Sequence, residues 1–585
     1  MGAFDPAMMI EHQKGYICTY EGVSESSCTY ELDETPPFPV NRDALDKSIL
    51  ISQMLNTEIV NELQICRKMY LDGSVTAGFQ RTGLIGFSGF LHLPKSEKEI
   101  KISYTYLEED AARKNSNKSN YPHIFYKLDR LGFPLIEIVT EPDMATPDQV
   151  EEAASQLGLL LKSSGLVRRG LGSIRQDINV SIKEGSRVEL KGISKLETIK
   201  LAIDNEIKRQ ISLVEISKEL KRRKISKKDL LNPIVDLTDI FCNTMAKIVK
   251  NAIENGENIL GIKIGKMNGI LGKEVQKNKR FGTELSERVK SYTSLKGIIH
   301  SDEELSKYHF TSQEIESVKK QLEMINEDGF IIVLAKKEEG RRALNFILER
   351  IVIALDGVNN ETRRVDEEGF SYFMRDLHGK SRLYPDTDSP IIKISKEKIL
   401  ALEKNIPDPP EKLIAQLTIK YNFLEEEAYF FLNNEITSLI LEIMKFNLPS
   451  KVVYGTFSQT LVELRREGLN INELEDMHFI DIFRALSQEI FSKEAIPEII
   501  RKWTINPNSP LETIIEETGS KAISSDELKN IINKIVKINE NLIKERGEKA
   551  FGSLMGQVMK EVRGKIDGKI VNDQLKETIR NLQKN

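Results

Sequence analysis

Apolar residues follow two periods along this chain, and the change from one to the other divides it. In the first 235 or so residues, short β-rich runs alternate with helix-length stretches. Residues 133–139 (FPLIEIV) make an apolar run that holds Pro134 and ends in the polar turn Thr140–Asp143, which predicts a strand. A helix is predicted next. Thr146 can cap it, Pro147 suits its first turn and Gly165 can stop it, while Val150, Ala154, Leu157 and Leu161 share one face. Residues 177–182 (DINVSI) and 186–193 (SRVELKGI) predict two more strands, bounded by Gly170–Leu171–Gly172 and Glu184–Gly185. The basic stretch 222–228 (RRKISKK) reads as a solvated linker or loop.

From about 240 to 365 the pattern predicts a separate α+β unit, with strands over 257–264 and 328–335 and helices over 313–326 and 340–356. Residues 383–391 (LYPDTDSPI) are too rich in turn formers for a helix. Beyond about 410 strand signals nearly vanish, and 411–505 and 510–585 read as two helical units. In the second, Phe551, Leu554, Val558 and Val562 form a helical stripe. The fold class expected is therefore α+β and multidomain.

Composition narrows the function classes. The 585 residues are 40% hydrophobic and 30% charged, with a formal net charge of -5, which fits soluble globular protein and excludes a wholly basic nucleic-acid coat. No stretch approaches the ~20 continuous apolar residues of a membrane span. The opening residues carry no secretory leader pattern. Cys18, Cys28, Cys66 and Cys242 are scattered without a C-x-x-C pair, so free thiols in a reducing cytoplasm are expected rather than a zinc site. The last 42 residues hold ten Lys/Arg against six Asp/Glu, a locally basic tail.

Candidate chemistry lies mostly in the first half. Gly261–Met267 is one residue short of a phosphate loop and lacks the magnesium-holding hydroxyl, so it reads as a glycine-bent strand. Glu137 interrupts the apolar run 134–139; it is either a wet-face residue of an alternating strand or a paired or metal-bound carboxylate. Glu108, Glu109 and Asp110 in LEEDAARK (107–114) read either as an acidic helix start or as oxygen ligands. Brought together, the two segments would offer what Mg²⁺ accepts beside a nucleotide phosphate. Arg67, Lys68, Arg81, Arg113, Lys114, Arg175 and Lys191 stand near glycine turns, as phosphate contacts or as surface ion pairs. In the tail, Lys549, Lys560, Arg563, Lys565 and Lys569 are either a solvated face or a track for nucleic-acid phosphates.

Taken together, LDETPPFPVNRDAL (32–45), DGSVTAGFQRT (72–82), LEEDAARK, YKLDRLGFPLIEIVTEPD (126–143), GLGSIRQDINVSI (170–182) and VELKGISKLETI (188–199) resemble the family formed by the E subunit of archaeal glutamyl-tRNA(Gln) amidotransferase. This family shares a superfamily with the bacterial and organellar B subunit. The resemblance continues through FGTELSERV (281–289), GIIHSDEEL (297–305), DGVNNETRR (356–364), RDLHGKSRLYPDTDSPI (375–391) and residues 547–572.

The resemblance implies an enzyme that phosphorylates the γ-carboxylate of glutamate on tRNA(Gln) with ATP and Mg²⁺, then displaces phosphate with ammonia. It implies a kinase-like cradle over 1–238 and 366–408, an insert over 239–365 like that of bacterial aspartyl-tRNA synthetases, a helical domain over 409–508 and a tRNA-binding tail over 509–585. By motif it makes Glu109 and Glu137 catalytic metal ligands. Arg113, Lys114 and Arg175 become phosphate or acceptor-end contacts, and Lys549, Lys560, Arg563 and Lys565 become tRNA contacts. The implied ammonia source is an asparaginase-like D subunit of the same amidotransferase, in a dimer of heterodimers.

Family members open with a Gly-Leu-Glu-x-His element that completes the metal site, and this sequence has none. Its first residues resemble an internal stretch, so a truncated start with loss of activity is an expectation of the reading. The rival class is a non-catalytic tRNA-binding protein that uses only insert and tail. A synthetase would need class II motifs, which do not occur in the right setting.

Overall fold

Alternating β-branched, aromatic and glycine residues between 58 and 140 pair into the largest sheet of the computed structural model, which describes residues 8, 12, 15–25, 27–120, 122–170, 172–546 and 550–584. Helix α1 (Arg42–Met54) comes first, capped by Asn41, whose side-chain oxygen accepts from the Ala44 N–H at 3.0 Å. Strands β1 (Ile65–Met69), β2 (Phe79–Leu93), β3 (Lys98–Glu109) and β4 (Pro134–Thr140) follow. They pair antiparallel in that order, with Leu383–Pro385 beyond β1 and Glu58–Ile59 added to β2. One face packs on α1: Leu45 and Ile49 meet Leu63, Ile65, Ile85 and Leu107. LEEDAARK therefore does not start a helix. Glu108 and Glu109 end β3.

Helix α2 (Pro147–Ser164) occupies the expected place, and the two expected strands, β5 (Ile178–Val180) and β6 (Val188–Lys191), pair antiparallel. The basic stretch after 222 breaks the chain between the long helix α3 (Leu196–Arg222) and the short helix Lys227–Leu230. Strands β7 (Asn258–Ile264) and β8 (Gly329–Ala335) are central in a four-stranded sheet with Val235–Asp236 and Ile299–His300. At Gly261 a Cβ would lie 2.4 Å from Leu237 Cδ1, so this glycine serves packing within a strand. Helix α4 (Phe281–Tyr292) follows β7. The helix expected over 313–326 is Ser312–Gln321; Glu323 turns to φ 49° and ends it early. Helix α5 (Lys337–Asp356) leads to β9 (Glu361–Val365), which pairs parallel with β6, and β10 (Ser371–Asp376) closes that sheet.

Helices α3, α4 and α5 meet β9 through charge. Arg209, Arg350, Arg363 and Lys279 face Glu206, Glu284, Glu287 and Glu361, all buried. Arg209 reaches Glu206 at 2.8 Å, Glu284 at 2.9 Å and Glu361 at 3.1 Å; Arg363 reaches Glu284 at 2.9 Å and Glu361 at 2.6 Å. Buried charges are costly unless matched, and here four bases meet four acids, although Arg350 stands 3.7 Å from Glu284 with its terminal nitrogens unbonded. Burial pushes Glu284 upward, but Arg209, Arg363 and Arg350 overcome it and hold its pKa down at about 2.

Contacts divide the chain into two compact units, Met1–Gly158 with Gly170–Ile406, and Leu159–Arg169 with Pro407–Asn585. The first is mixed α and β with several sheets. The second is helical throughout its described residues. Within it one core runs from Leu413 to Ile515, joined by Leu159. A second core gathers Leu528, Ile532, Leu554, Val558, Val562, Val571 and Leu575. The stripe on Phe551–Val562 thus faces inward at Leu554, Val558 and Val562. No helix among the described residues is long and apolar enough to cross a membrane.

Two outcomes test this packing. At Gly89 a Cβ would stand 2.4 Å from the carbonyl oxygen of Leu55, which accepts from the Phe90 N–H at 3.0 Å where α1 docks on β2. Gly89→Ala should lower stability by about 1–3 kcal/mol in denaturant unfolding. Glu284→Ala should cost about 3–5 kcal/mol, because it strands buried guanidinium groups. Since the folded pKa of Glu284 lies below its ordinary 4.5, its contribution should be complete above that pH and lost as pH falls toward 2.

Candidate active site

Antiparallel register decides which side chains of the large sheet meet. Directly opposed residues share a face, and residues two apart along a strand share it too. Tyr106 on β3 lies opposite Glu137 on β4, so Glu108 joins them on one face. Thr82 lies opposite Glu108 and Lys68 opposite Gln80, which brings β1 and β2 into the same group. Lys68 Nζ donates to Glu108 at 2.8 Å and stands 3.6 Å from Glu137. Gln80 Nε2 donates to the other Glu108 oxygen at 3.4 Å.

This face concentrates negative charge around one lysine. Burial, then the Glu108 charge, push the Glu137 carboxyl up to about 7, against the pull of Lys68 and the more distant Lys191. Its side chain keeps 42% exposure, so ligands can reach it. Tyr106 is pushed up as well, by burial and then by its neighbours Tyr104 and Glu137. Lys68 is pushed up instead, because Glu108 and Glu137 outweigh its burial. Lys191, at the end of β6, pairs with Asp177 and lies 3.4 Å from Glu189.

Glu109 points the other way. Its neighbour across the sheet is Pro134, and its carboxylate is taken by Arg81, with Nε at 3.0 Å, and by the Tyr30 hydroxyl at 3.0 Å. Arg81 also donates to the Phe38 carbonyl at 2.7 Å. A cavity of about 290 Å³ opens beside this pair, lined by Phe38, Val40, Ala44, Ile65 and Leu107 among others. Next to it a cavity of about 340 Å³ touches Tyr30, Arg67, Phe79 and Asp388. Arg67 is bound to Asp386 at 2.8 Å and Asp388 at 2.7 Å.

The two carboxylates expected as joint ligands, Glu109 and Glu137, therefore occupy opposite faces, and the structure unites Glu137 with Glu108 instead. Glu108 escaped the motif-based choice because LEEDAARK offers three adjacent acids; strand parity with Tyr106 separates them. Arg113 is engaged by Asp129 at 2.5 Å, on a small sheet where Arg113–Lys114 pairs with His123–Lys127. Lys114 is exposed there. Arg175 is bound to Asp110 at 2.5 Å. In the tail, Lys560 and Arg563 are exposed, Lys565 is half-buried, and Lys549 lies outside the described residues.

Among the described residues no group of three or more His, Cys, Asp or Glu side chains forms a ready metal cage. Glu108 and Glu137 still suit Mg²⁺, which is commonly held by one or two carboxylates and completed by phosphate and water. A cation between them would offset the Glu108 charge, which adds to burial in pushing Glu137 up. The pair that shares a face is Glu108 and Glu137, held by Lys68, while Glu109 is held by Arg81 on the other face.

Residues 21–400 match the family model described as the GatB/GatE catalytic domain, and residues 439–579 match the GatB domain. The E subunit of the glutamyl-tRNA(Gln) amidotransferase of Methanocaldococcus jannaschii is 38% identical over 586 residues, covering 100% of this chain and 92% of that protein. The E subunit of the Sulfolobus acidocaldarius enzyme is 40% identical over 588 residues, covering 99% of this chain and 91% of its own. With matches of this identity along its length, the chain belongs to the glutamyl-tRNA(Gln) amidotransferase E-subunit family.

Proposed function

We propose that this protein converts Glu-tRNA(Gln) to Gln-tRNA(Gln), using ATP and ammonia, and that the Lys68–Glu108–Glu137 face is where the carboxylate is activated. The observation that carries the reading is the gathering of two carboxylates and a lysine on one sheet face within the matched catalytic region. In the first step an oxygen of the glutamyl γ-carboxylate attacks the γ-phosphorus of ATP, and the bond to the β-phosphate oxygen breaks to release ADP. In the second, ammonia attacks the acyl carbon, phosphate departs with the acyl oxygen, and the nitrogen loses a proton. A carboxylate is a poor acyl donor, and phosphorylation gives it a leaving group.

Phosphoryl transfer asks the protein mainly for position and charge. Lys68, whose Nζ lies on this face 2.8 Å from Glu108, would offer a cation to phosphoryl oxygens. Glu108 and Glu137 would hold Mg²⁺, which when bound offsets charge on the phosphate chain. Lys191 brings positive charge toward Glu137. We assign activation to a cradle over 1–238 and 366–408, and tRNA selection to an insert over 239–365. The helical region 409–508 and the tail 509–585 would bind tRNA, with Lys560, Arg563 and Lys565 as contacts. Ammonia would come from an asparaginase-like D subunit in a dimer of heterodimers. A tRNA-binding protein without catalysis would gain nothing from the repulsion between Glu108 and Glu137, and catalysis is the reading this favours.

The test is ATP-dependent formation of Gln-tRNA(Gln) from Glu-tRNA(Gln), with ammonium chloride in place of the ammonia-supplying partner. With the family's opening segment supplied, product should form, and Glu137→Ala should lose at least about 10²-fold in kcat with little change in tRNA affinity. Equal loss of both would point to a folding role. The face assignment makes a sharper demand: Glu108→Gln should also lose about 10²-fold in kcat, whereas Glu109→Gln should act mainly on thermal stability. The reverse order would move the site to the Arg81 face.

A further inference from the structure

Asp110 follows Glu109 where β3 ends, and its buried carboxylate takes two guanidinium groups. Arg130 Nε donates to Oδ2 at 3.0 Å, while Arg175 donates to Oδ2 at 2.5 Å through Nη2 and to Oδ1 at 3.3 Å through Nη1. One carboxylate against two guanidinium groups leaves a local charge of +1. Arg175 spends both terminal nitrogens on Asp110. Arg130 spends only Nε, so its two terminal nitrogens have no hydrogen-bond partner among the described residues, and its side chain keeps 32% exposure. Nearby Asp129 does not quench it, because Asp129 is bound to Arg113.

Backbone bonds make this arrangement rigid. The Asp110 N–H donates to the Phe133 carbonyl at 2.7 Å and the Gly132 N–H to the Asp110 carbonyl at 3.0 Å, with Gly132 at φ 77°, where a side chain would be strained. The turn carrying Arg130 runs directly into β4, which carries Glu137. On the other side, Arg175 and Asp177 alternate along one segment, and Asp177 binds Lys191, whose charge reaches Glu137. Asp110 follows Glu108 by two residues, so Arg130 and Arg175 gather just past the end of β3, the strand that carries Glu108.

We propose that Arg130 binds the phosphate chain of the nucleotide, and that Asp110 is the positioning residue that aims it, itself held in place by Arg175. The inference rests on the activation site proposed above. A planar fork with two free donors suits phosphate oxygens. Two carboxylates next to it require a compensating cation before a polyanion can approach, and this fork adds one that is not spent on them. Nucleotide phosphate is favoured over tRNA backbone because Asp110, which holds Arg130, lies two residues beyond Glu108 on the same strand end.

The experiment uses the complete protein together with its ammonia-supplying partner and measures ATP binding by calorimetry, with KM for ATP and for Glu-tRNA(Gln). Arg130→Ala should raise Kd and KM for ATP at least about tenfold, leave KM for Glu-tRNA(Gln) and the melting temperature unchanged, and be partly rescued by Arg130→Lys. Asp110→Asn should raise KM for ATP as well, with a smaller effect on kcat. An unchanged Kd for ATP in Arg130→Ala, or a rise confined to KM for Glu-tRNA(Gln), overturns the proposal. Wild-type protein that binds ATP but makes no Gln-tRNA(Gln) would instead sink the activity, while the ATP affinities of the variants would still decide the role of Arg130.

Discussion

Strand parity is the constraint on which the site depends. Because β3 and β4 pair with Tyr106 opposite Glu137, Glu108 must share the Glu137 face and Glu109 must leave it. A slip of one residue would exchange the two. It would turn Glu108 toward Arg81 and Glu109 toward Lys68, taking Glu108 off the Glu137 face. Register is fixed by the opposite face, where Leu107 and Ile85 pack under α1 and the Thr105 hydroxyl meets that of Ser52 at 2.7 Å. The apolar side of the sheet thus determines the chemistry of the polar side.

A second constraint holds the neighbouring sheet. Lys191 and Asp177 reach the site from β6 and the segment before β5, and β6 lies beside β9. The buried ionic cluster ties β9 to α3, α4 and α5, so these charges act at a distance by fixing the strand that carries Lys191. Such a cluster need not exceed apolar packing in stability; its value lies in tolerating one arrangement. The same logic recurs on a small scale at Asp110, where one buried carboxylate fixes two guanidinium groups.

Much of the fold is legible from pattern. The strand Pro134–Thr140, the helix Pro147–Ser164, the two strands after 177 and the loss of strands beyond 410 all follow from periodicity and turn residues. LEEDAARK misleads because three adjacent acids suit a helix start as well as a strand end, and only pairing with β4 resolves them. The resemblance draws attention to these segments, but a motif cannot state side-chain parity. Arg130 does not stand out within YKLDRLGFPLIEIV because its partner, Asp110, lies twenty residues earlier and meets it only through the closed turn at Gly132. The ionic cluster is hidden for the same reason: Arg209, Glu284 and Arg363 are far apart in sequence, and a charged residue on a helix ordinarily signals solvent.

The central claim is that metal and phosphate gather on the Lys68 face. Its most direct test is a crystal structure of the complete protein with a non-hydrolysable ATP analogue and Mn²⁺, in which anomalous scattering locates the ion. The account predicts the ion between Glu108 and Glu137, on the phosphate chain and on the sheet face away from α1. An ion bound to Glu109 beside Arg81, on the α1 side, would contradict it.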